Sequence, residues 1–298
     1  MTVLGTETGL RVTPLGSALG AEISGIDLSQ PLSPERVEEI LGAWRAYLVL
    51  VFRGQSLSTE EQRRFAANFG TLYERRRGGT SFAKDKYGLY DGDPAIREDP
   101  NLMLVSNVRV DGKPIGAVAD GDMWFHIDSG YSERPYRYTI LHAIKLPSTG
   151  GDTLFANMYK AYETLPEDLK AKIAGRKALH IHEYKRTAKV DLTKDFTNSP
   201  HYFHPVVATH PETGRKTLFV DRLMTARIEG LEAQESADVL ARLFDHAERP
   251  EMIYAHKWRP GDVVMWDNRC VTHGRTDFPH HEERILRRCT IEGDPILP

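Results

Sequence analysis

From Leu102 onward the sequence is a succession of short apolar runs separated by turn-forming residues, and that rhythm limits the fold more than any other feature. Runs at 102–110, 122–128, 138–144, 153–156, 178–184, 204–209, 217–220, 253–258, 262–266 and 285–292 have the length of strands. Pro211-Glu212-Thr213-Gly214 joins two of them as a turn. Helices are expected only after Asn157, after Pro166 and at 232–247, the last with Ala237, Leu240, Leu243 and Phe244 on one face. Many short strands with few helices bury their apolar faces by stacking sheet on sheet, so the chain is predicted to be mainly β with flanking helices, a β-sandwich or jelly roll.

The N-terminal portion reads differently. Residues 9–25 suggest short strands broken by glycines, and Ser33-Pro34-Glu35 opens a helix whose apolar stripe is Val37, Ile40, Leu41 and Trp44. Leu48–Phe52 is a buried strand, and Ser58 with Glu61 forms a capping box before a helix that stops at Gly70. Between Tyr73 and Pro100 no period holds, and a segment of about 74–100 is expected to be an irregular active-site loop. No repeat or linker divides the chain, so residues 1–298 are read as one domain.

A net charge of −3 with 27% charged residues gives no reason to expect nucleic acid or a membrane surface as a partner. Two cysteines, Cys270 and Cys289, stand outside any CxxC pattern and suit a reducing compartment. The first residues lack a basic stretch followed by an apolar run, and nothing approaches the roughly 20 apolar residues that span a bilayer. The expectation is a cytoplasmic protein, a homo-oligomer, acting on a small molecule.

Within this frame His126-Ile127-Asp128 is the first chemical signal, because it combines two metal ligands with an apolar strand, Trp124 to Ser129. Strand alternation places Trp124, His126 and Asp128 on one face and Phe125 and Ile127 on the other. His210-Pro-Glu212, His246-Ala-Glu248, His280-His-Glu282 and His281-Glu-Glu283 share the spacing, but lie in a turn, at a helix end and in a polar loop. A third ligand must come from elsewhere. His273 is expected in a loop just past the strand Val263–Trp266, after Trp266-Asp267-Asn268-Arg269.

Two histidines and one carboxylate on an iron ion leave three positions, enough for a bidentate 2-oxo acid and dioxygen. Such chemistry needs a metal that changes oxidation state, which zinc does not. Arg284 and Arg288, on one face of the last strand, match carboxylates in bidentate geometry. Arg288 and the basic character around Arg75–Arg77 suggest an anionic substrate. Two other classes stay open on the residues alone: a zinc hydrolase using two His and one Asp, although no HExxH is present, and a non-catalytic ligand-binding jelly roll, which would not need Arg284.

At this point the chain resembles the iron(II)- and 2-oxoglutarate-dependent dioxygenases of the taurine dioxygenase / 2,4-dichlorophenoxyacetate dioxygenase (TauD/TfdA) family. The resemblance rests on Val51-Phe52-Arg53-Gly54-Gln55, Phe65–Gly70, Trp124–Asp128, Gly150-Gly151-Asp152-Thr153, His210–Lys216, Gly261-Asp262, Trp266–Arg269, His273, Arg284 and Arg288. Ser106-Asn107-Val108 and Asp111-Gly112-Lys113 place it nearer the phenoxyacetate branch. The resemblance implies a double-stranded β-helix, with iron held by His126, Asp128 and His273. It also implies that Thr153 and Arg284 hold the distal carboxylate of 2-oxoglutarate. Arg288 would meet the other end of the cosubstrate or, with Asn107, the substrate. The implied activity is hydroxylation of a C–H bond of a small organic anion. An aryloxyalkanoate-like carboxylate is favoured and an alkylsulfonate is the alternative; O2 is consumed, succinate and CO2 are coproducts, and the hydroxylated product can fragment. One departure is Asp122, where some members have Asn four residues before the first ligand.

Overall fold

Val49 to Phe52 are all fully buried, so this strand must have apolar neighbours on both faces, and the molecule is layered around it. The computed structural model describes residues 9–74, 100–110, 113–114, 116–117, 121–182 and 185–298. Arg75–Arg77 and nearly all of the expected active-site loop lie outside the described residues. The first elements are β1 (Arg11–Pro14), β2 (Ala21–Ser24), α1 (Pro34–Tyr47), β3 (Val49–Phe52), α2 (Thr59–Ala67) and β4 (Leu102–Ser106). The middle of the chain forms β5 (Arg109–Val110), β6 (Lys113–Pro114), β7 (Met123–His126), β8 (Tyr138–Lys145), β9 (Thr153–Asn157), α3 (Met158–Glu163) and α4 (Glu167–Ile173). Then come β10 (Lys177–Ile181), β11 (His201–Pro205), β12 (Val207–Thr209), β13 (Lys216–Leu218), β14 (Thr225–Ile228) and α5 (Ala233–Ala247). The chain finishes with β15 (Ile253–His256), β16 (Val263–Asp267), β17 (Val271–Arg275) and β18 (Ile285–Ile291).

Among the described residues one sheet has the strand order β1-β2-β3-β16-β8-β18-β4 and a second the order β15-β9-β17-β7. Side-chain parity assigns each face. Leu50, Phe52, Ile140, Val263, Met265, Cys289 and Ile291 pack against α1 and α2, through Ile40, Trp44 and Phe65, with Phe69 just after α2. Val49, Val51, Leu141, Val264, Trp266 and Leu286 face the other way and meet Phe155 and Val271 of the smaller sheet. The outer face of that sheet, through Phe125 and Ala156, packs on α3, α4 and α5. The result is the jelly roll with flanking helices that the sequence predicts. The helix starts behave as read, with Ser33 accepting from the Arg36 N–H and Ser58 and Glu61 closing a reciprocal capping box.

Three expectations need correction. Asp128 is not on a strand, because β7 ends at His126 and Asp128 stands in a turn whose next residue, Ser129, has φ 59°. His273 is not in a loop but at the centre of β17, hydrogen-bonded to β9 on one side and β7 on the other. The run 204–209 is two strands, β11 and β12, in different sheets. The sequence Val271-Thr-His-Gly-Arg275 opens with two β-branched residues but is broken by a glycine and shows no apolar alternation, and it extends because flanking strands pair with it. Gly274 is required there: a Cβ at this position would stand 2.9 Å from the Met123 carbonyl oxygen.

Candidate active site

His126 and His273 are direct cross-strand partners on β7 and β17, which brings their rings to 4.1 Å between centroids. Both face the layer between the two sheets, as the parity of Phe125 and Phe155 requires. Asp128 reaches the same point from the turn after β7. His126 Nε2 lies 4.0 Å from Asp128 Oδ1 and His273 Nε2 lies 3.9 Å from Asp128 Oδ2. One ligand atom from each of the three residues falls within 4.8 Å of the others, and all three residues are buried. These separations are too long for hydrogen bonds. His126 Nδ1 meets the Trp124 carbonyl at 3.0 Å, so its proton sits there and the Nε2 lone pair points inward. His273 Nδ1 is buried with no hydrogen-bond partner among the described residues.

Burial alone would raise the Asp128 carboxyl, but the Arg288 guanidinium, His273, His126 and the Thr139 hydroxyl together outweigh it and hold the group at about 2. Burial, aided by His126 and Arg288 and opposed by Asp128, brings His273 down to about 3. At neutral pH the site therefore offers a carboxylate and an unprotonated imidazole, which are the states a metal ion requires. The donor set is two imidazoles and one carboxylate converging in an apolar interior, and it fits Fe(II) with positions left over.

The four other His-x-acid pairs make no such cluster among the described residues. His210 does join a second grouping, with Asp267 and Cys270. A cation already occupies it: Arg269 reaches Asp267 at 2.5 Å and 2.9 Å, while His210 Nε2 lies 3.0 Å from the same carboxylate. Burial also pushes the Cys270 thiol far up. This is a structural lock.

Beyond β17 the arginines arrange themselves around the site. Arg284 precedes β18 across a register shift between Ile285 and Leu286, and it is 2% exposed. Its Nη2 donates to the Gly151 carbonyl at 3.1 Å, and its Nε is buried without a partner. Burial, then Arg275, lower this guanidinium to about 9, with Asp152 opposing. Both arginines lie over the Phe278 ring, at 5.3 Å and 5.7 Å. Two guanidiniums over one ring in a buried setting make a place where a carboxylate would be welcome. Gly151 makes room for it: at φ 68° a Cβ would stand 3.0 Å from Arg284 Nε. Thr153, the cross-strand partner of Arg275, is buried and accepts from Trp258 Nε1 at 3.0 Å, so its own proton is free to be donated.

Arg288 enters from the larger sheet, with Nη1 3.2 Å from Asp128 Oδ1. Its guanidinium also lies over the Tyr136 ring at 5.9 Å, and that ring stands 4.7 Å from Tyr73. Tyr131 shares this neighbourhood; burial keeps its phenol protonated, at about 12. The Asn107 side chain is engaged by the main chain before Arg284: its amide donates to the Glu282 carbonyl at 2.8 Å and accepts from the Arg284 N–H at 2.9 Å. Asp122 is exposed and accepts from the Asp277 N–H at 2.7 Å, which holds the segment before Arg284. Sequence reasoning missed Thr139, whose hydroxyl donates to Asp128 Oδ2 at 2.6 Å, and the tyrosines. Thr139 shares its face of β8 with Leu141, but only the pairing of β8 shows that this face is the inner one.

Comparison with known proteins adds a common pattern. A family model described as "Taurine catabolism dioxygenase TauD, TfdA family" matches residues 11–290. The alpha-ketoglutarate-dependent 2,4-dichlorophenoxyacetate dioxygenase of Cupriavidus pinatubonensis is 36% identical over 295 residues, covering 95% of this chain and 98% of that protein. Pentalenolactone F synthase of Streptomyces avermitilis is 35% identical over 302 residues, covering 95% and 94%. The crystal structure of AAD-2 in complex with Mn(II) and N-oxalylglycine has a TM-score of 0.77 at 28% identity, covering 98% of this chain and 100% of that one.

Proposed function

This chain belongs to the TauD/TfdA family of Fe(II)- and 2-oxoglutarate-dependent dioxygenases, and from that premise we propose how its own residues divide the work and which substrate it takes. His126, Asp128 and His273 would hold Fe(II). Bound there, the iron supplies the redox steps by which dioxygen and 2-oxoglutarate yield succinate and CO2 while a substrate C–H becomes C–OH. Arg284 would take the distal carboxylate of 2-oxoglutarate, with Thr153 donating a second hydrogen bond. The observation that supports this most is the buried Arg284 guanidinium, lowered by burial and then by Arg275, with its Nε unpartnered among the described residues. Asn107 positions Arg284 by gripping the main chain at the Glu282 carbonyl and at the Arg284 N–H.

For the substrate, the relatives' names do not choose, since one is named for an aryloxyacetate and another for pentalenolactone F. Arg288 and its aromatic surroundings favour an aromatic anion. The guanidinium provides a cation beside the candidate metal ligands, Tyr136, Tyr73 and Tyr131 provide apolar faces, and burial keeps the Tyr131 and Tyr136 phenols as neutral donors. An aryloxyalkanoate meets both. Hydroxylation beside its ether oxygen gives a hemiacetal, which fragments to a phenol and an oxo acid. We also propose a cytoplasmic homo-oligomer, supported for the compartment by two buried free thiols. Among the described residues no helix is long and apolar enough to cross a membrane.

The test is succinate formation across a panel of organic acids. Aryloxyalkanoates should lead it, and their neutral amides should be turned over far more slowly. Equal rates for acid and amide would remove Arg288 from substrate recognition. Anaerobic protein with Fe(II) and 2-oxoglutarate should show a weak visible charge-transfer band that His126→Ala abolishes; a band that survives would sink the ligand assignment.

A further inference from the structure

Asp128 has two oxygens, and the chain treats them differently. Oδ2 accepts a hydrogen bond from the Thr139 hydroxyl at 2.6 Å, the length of a strong O–H···O⁻ bond, whereas Oδ1 meets Arg288 Nη1 at 3.2 Å. The Thr139 hydroxyl is itself oriented. Asn268 Nδ2 donates to its oxygen at 2.9 Å, and Trp266 Nε1 donates to Asn268 Oδ1 at 2.9 Å. An indole N–H can only donate, so Asn268 must present its oxygen to Trp266 and its NH2 to Thr139. Thr139, whose oxygen accepts from that NH2, has its single proton to donate, and among the described residues it goes to Asp128 Oδ2. The direction of every bond is therefore fixed by the tryptophan at the far end. Trp266, Asn268 and Thr139 are all 2% exposed or less, so water does not compete.

Coordination arithmetic gives this relay a consequence. Two imidazoles and a carboxylate bound through one oxygen use three of six positions and leave the three that a chelating 2-oxo acid and dioxygen need. A carboxylate bound through both oxygens would use a fourth. We propose that the Trp266–Asn268–Thr139 relay makes Asp128 a one-oxygen ligand, holding Oδ2 away from the metal and presenting Oδ1, and so keeps the last coordination position open. Thr139 is a positioning residue, acting through Asp128. The inference rests on the metal site assigned above. It extends the role of Trp266-Asp267-Asn268-Arg269: Asp267 and Arg269 form the structural lock behind the site, while Trp266 and Asn268 align the metal's carboxylate.

Two measurements test it. The first needs no variant: a crystal structure of the wild-type chain loaded with Mn(II), an oxygen-preferring stand-in for Fe(II). Asp128 should bind through Oδ1 alone, with Oδ2 still in hydrogen-bond contact with Thr139. A carboxylate bound through both oxygens, or through Oδ2, overturns the relay while leaving the site assignment intact; Mn(II) absent from these three residues overturns both. The second measurement is Fe(II) affinity by competition with a chelator, read beside the charge-transfer band with 2-oxoglutarate. Thr139→Val, close in volume and without the hydroxyl, should weaken Fe(II) binding by about 10–100-fold, the range for loss of an outer partner of a metal ligand. It should also shift the band, and Thr139→Ser should restore both. A folded Val variant with wild-type affinity and band would show that Thr139 serves packing alone, and a Val variant that does not fold leaves the Mn(II) structure to decide.

Discussion

Among the described residues the buried Arg284 guanidinium donates to one carbonyl, that of Gly151, and a substitution there tests the cosubstrate role proposed for it apart from metal binding. Arg284→Lys keeps the charge and loses the planar fork. It should raise the KM for 2-oxoglutarate about tenfold or more, the scale of one lost charge-assisted hydrogen bond, while Fe(II) affinity stays at the wild-type value. Measuring both on one preparation checks it; a parallel loss of Fe(II) affinity would place Arg284 with the metal instead. At this scale the sequence pointed to the residues that the fold brings together, His126, Asp128 and His273 with Arg288 beside Asp128, because a candidate metal site needs particular side-chain chemistry. It did not point to Thr139, Tyr131 or Tyr136. A hydroxyl on a buried strand looks the same whether it faces a ligand or a neighbouring strand, and only the pairing of β8 between β16 and β18 decides.

At the scale of elements, β17 shows where strand reading fails. Its sequence offers one β-branched apolar residue and a glycine, so it reads as loop, yet it is the strand that positions His273 between β9 and β7. What the sequence could not supply was the pairing, which is long-range. Asp128 fails in the opposite sense: the alternation rule placed it on a strand face, and it reaches the site from a turn after the strand has ended. Gly274→Ala tests the close approach. The added methyl meets the Met123 carbonyl and pushes β7 outward, taking His126 with it. The variant should lower both the melting temperature and Fe(II) affinity. A drop in melting temperature with unchanged affinity would mean that β7 yields somewhere other than at His126.

Across the whole molecule, the layered arrangement followed from the spacing of short apolar runs, whereas the ion pairs that tie distant layers did not, since charged residues in loops give no periodic signal. Glu212 is the clearest case. It sits in the Pro211–Gly214 turn and pairs with Arg45 on α1, Arg269 after β16, and Arg137 before β8. Burial would raise its carboxyl, but Arg137, Arg269 and Arg45 bring it down to about 2, below the ordinary 4.5. A depressed folded value means stability that is fully present above about pH 4.5 and lost as pH falls towards 2. Glu212→Gln should therefore be less stable at neutral pH and show a shallower loss of stability between those two values, measured by urea unfolding along a pH series. An unchanged acid slope would mean that other carboxylates dominate.

The pairing of Asp128 with Arg288 and Thr139 bears on how the protein meets its metal in a cell. A buried carboxylate whose charge is matched by the chain's own groups places no demand on an ion for folding, unlike small domains that collapse only around zinc. The polypeptide should emerge from synthesis folded and wait. Its occupant is then set by supply, and because zinc, nickel and copper bind such nitrogen and oxygen sites more tightly than ferrous iron, traces of them act as poisons. Chelator-treated protein should melt within a few degrees of the loaded form and recover activity on adding Fe(II). An equimolar dose of Zn(II), added first, should delay that recovery.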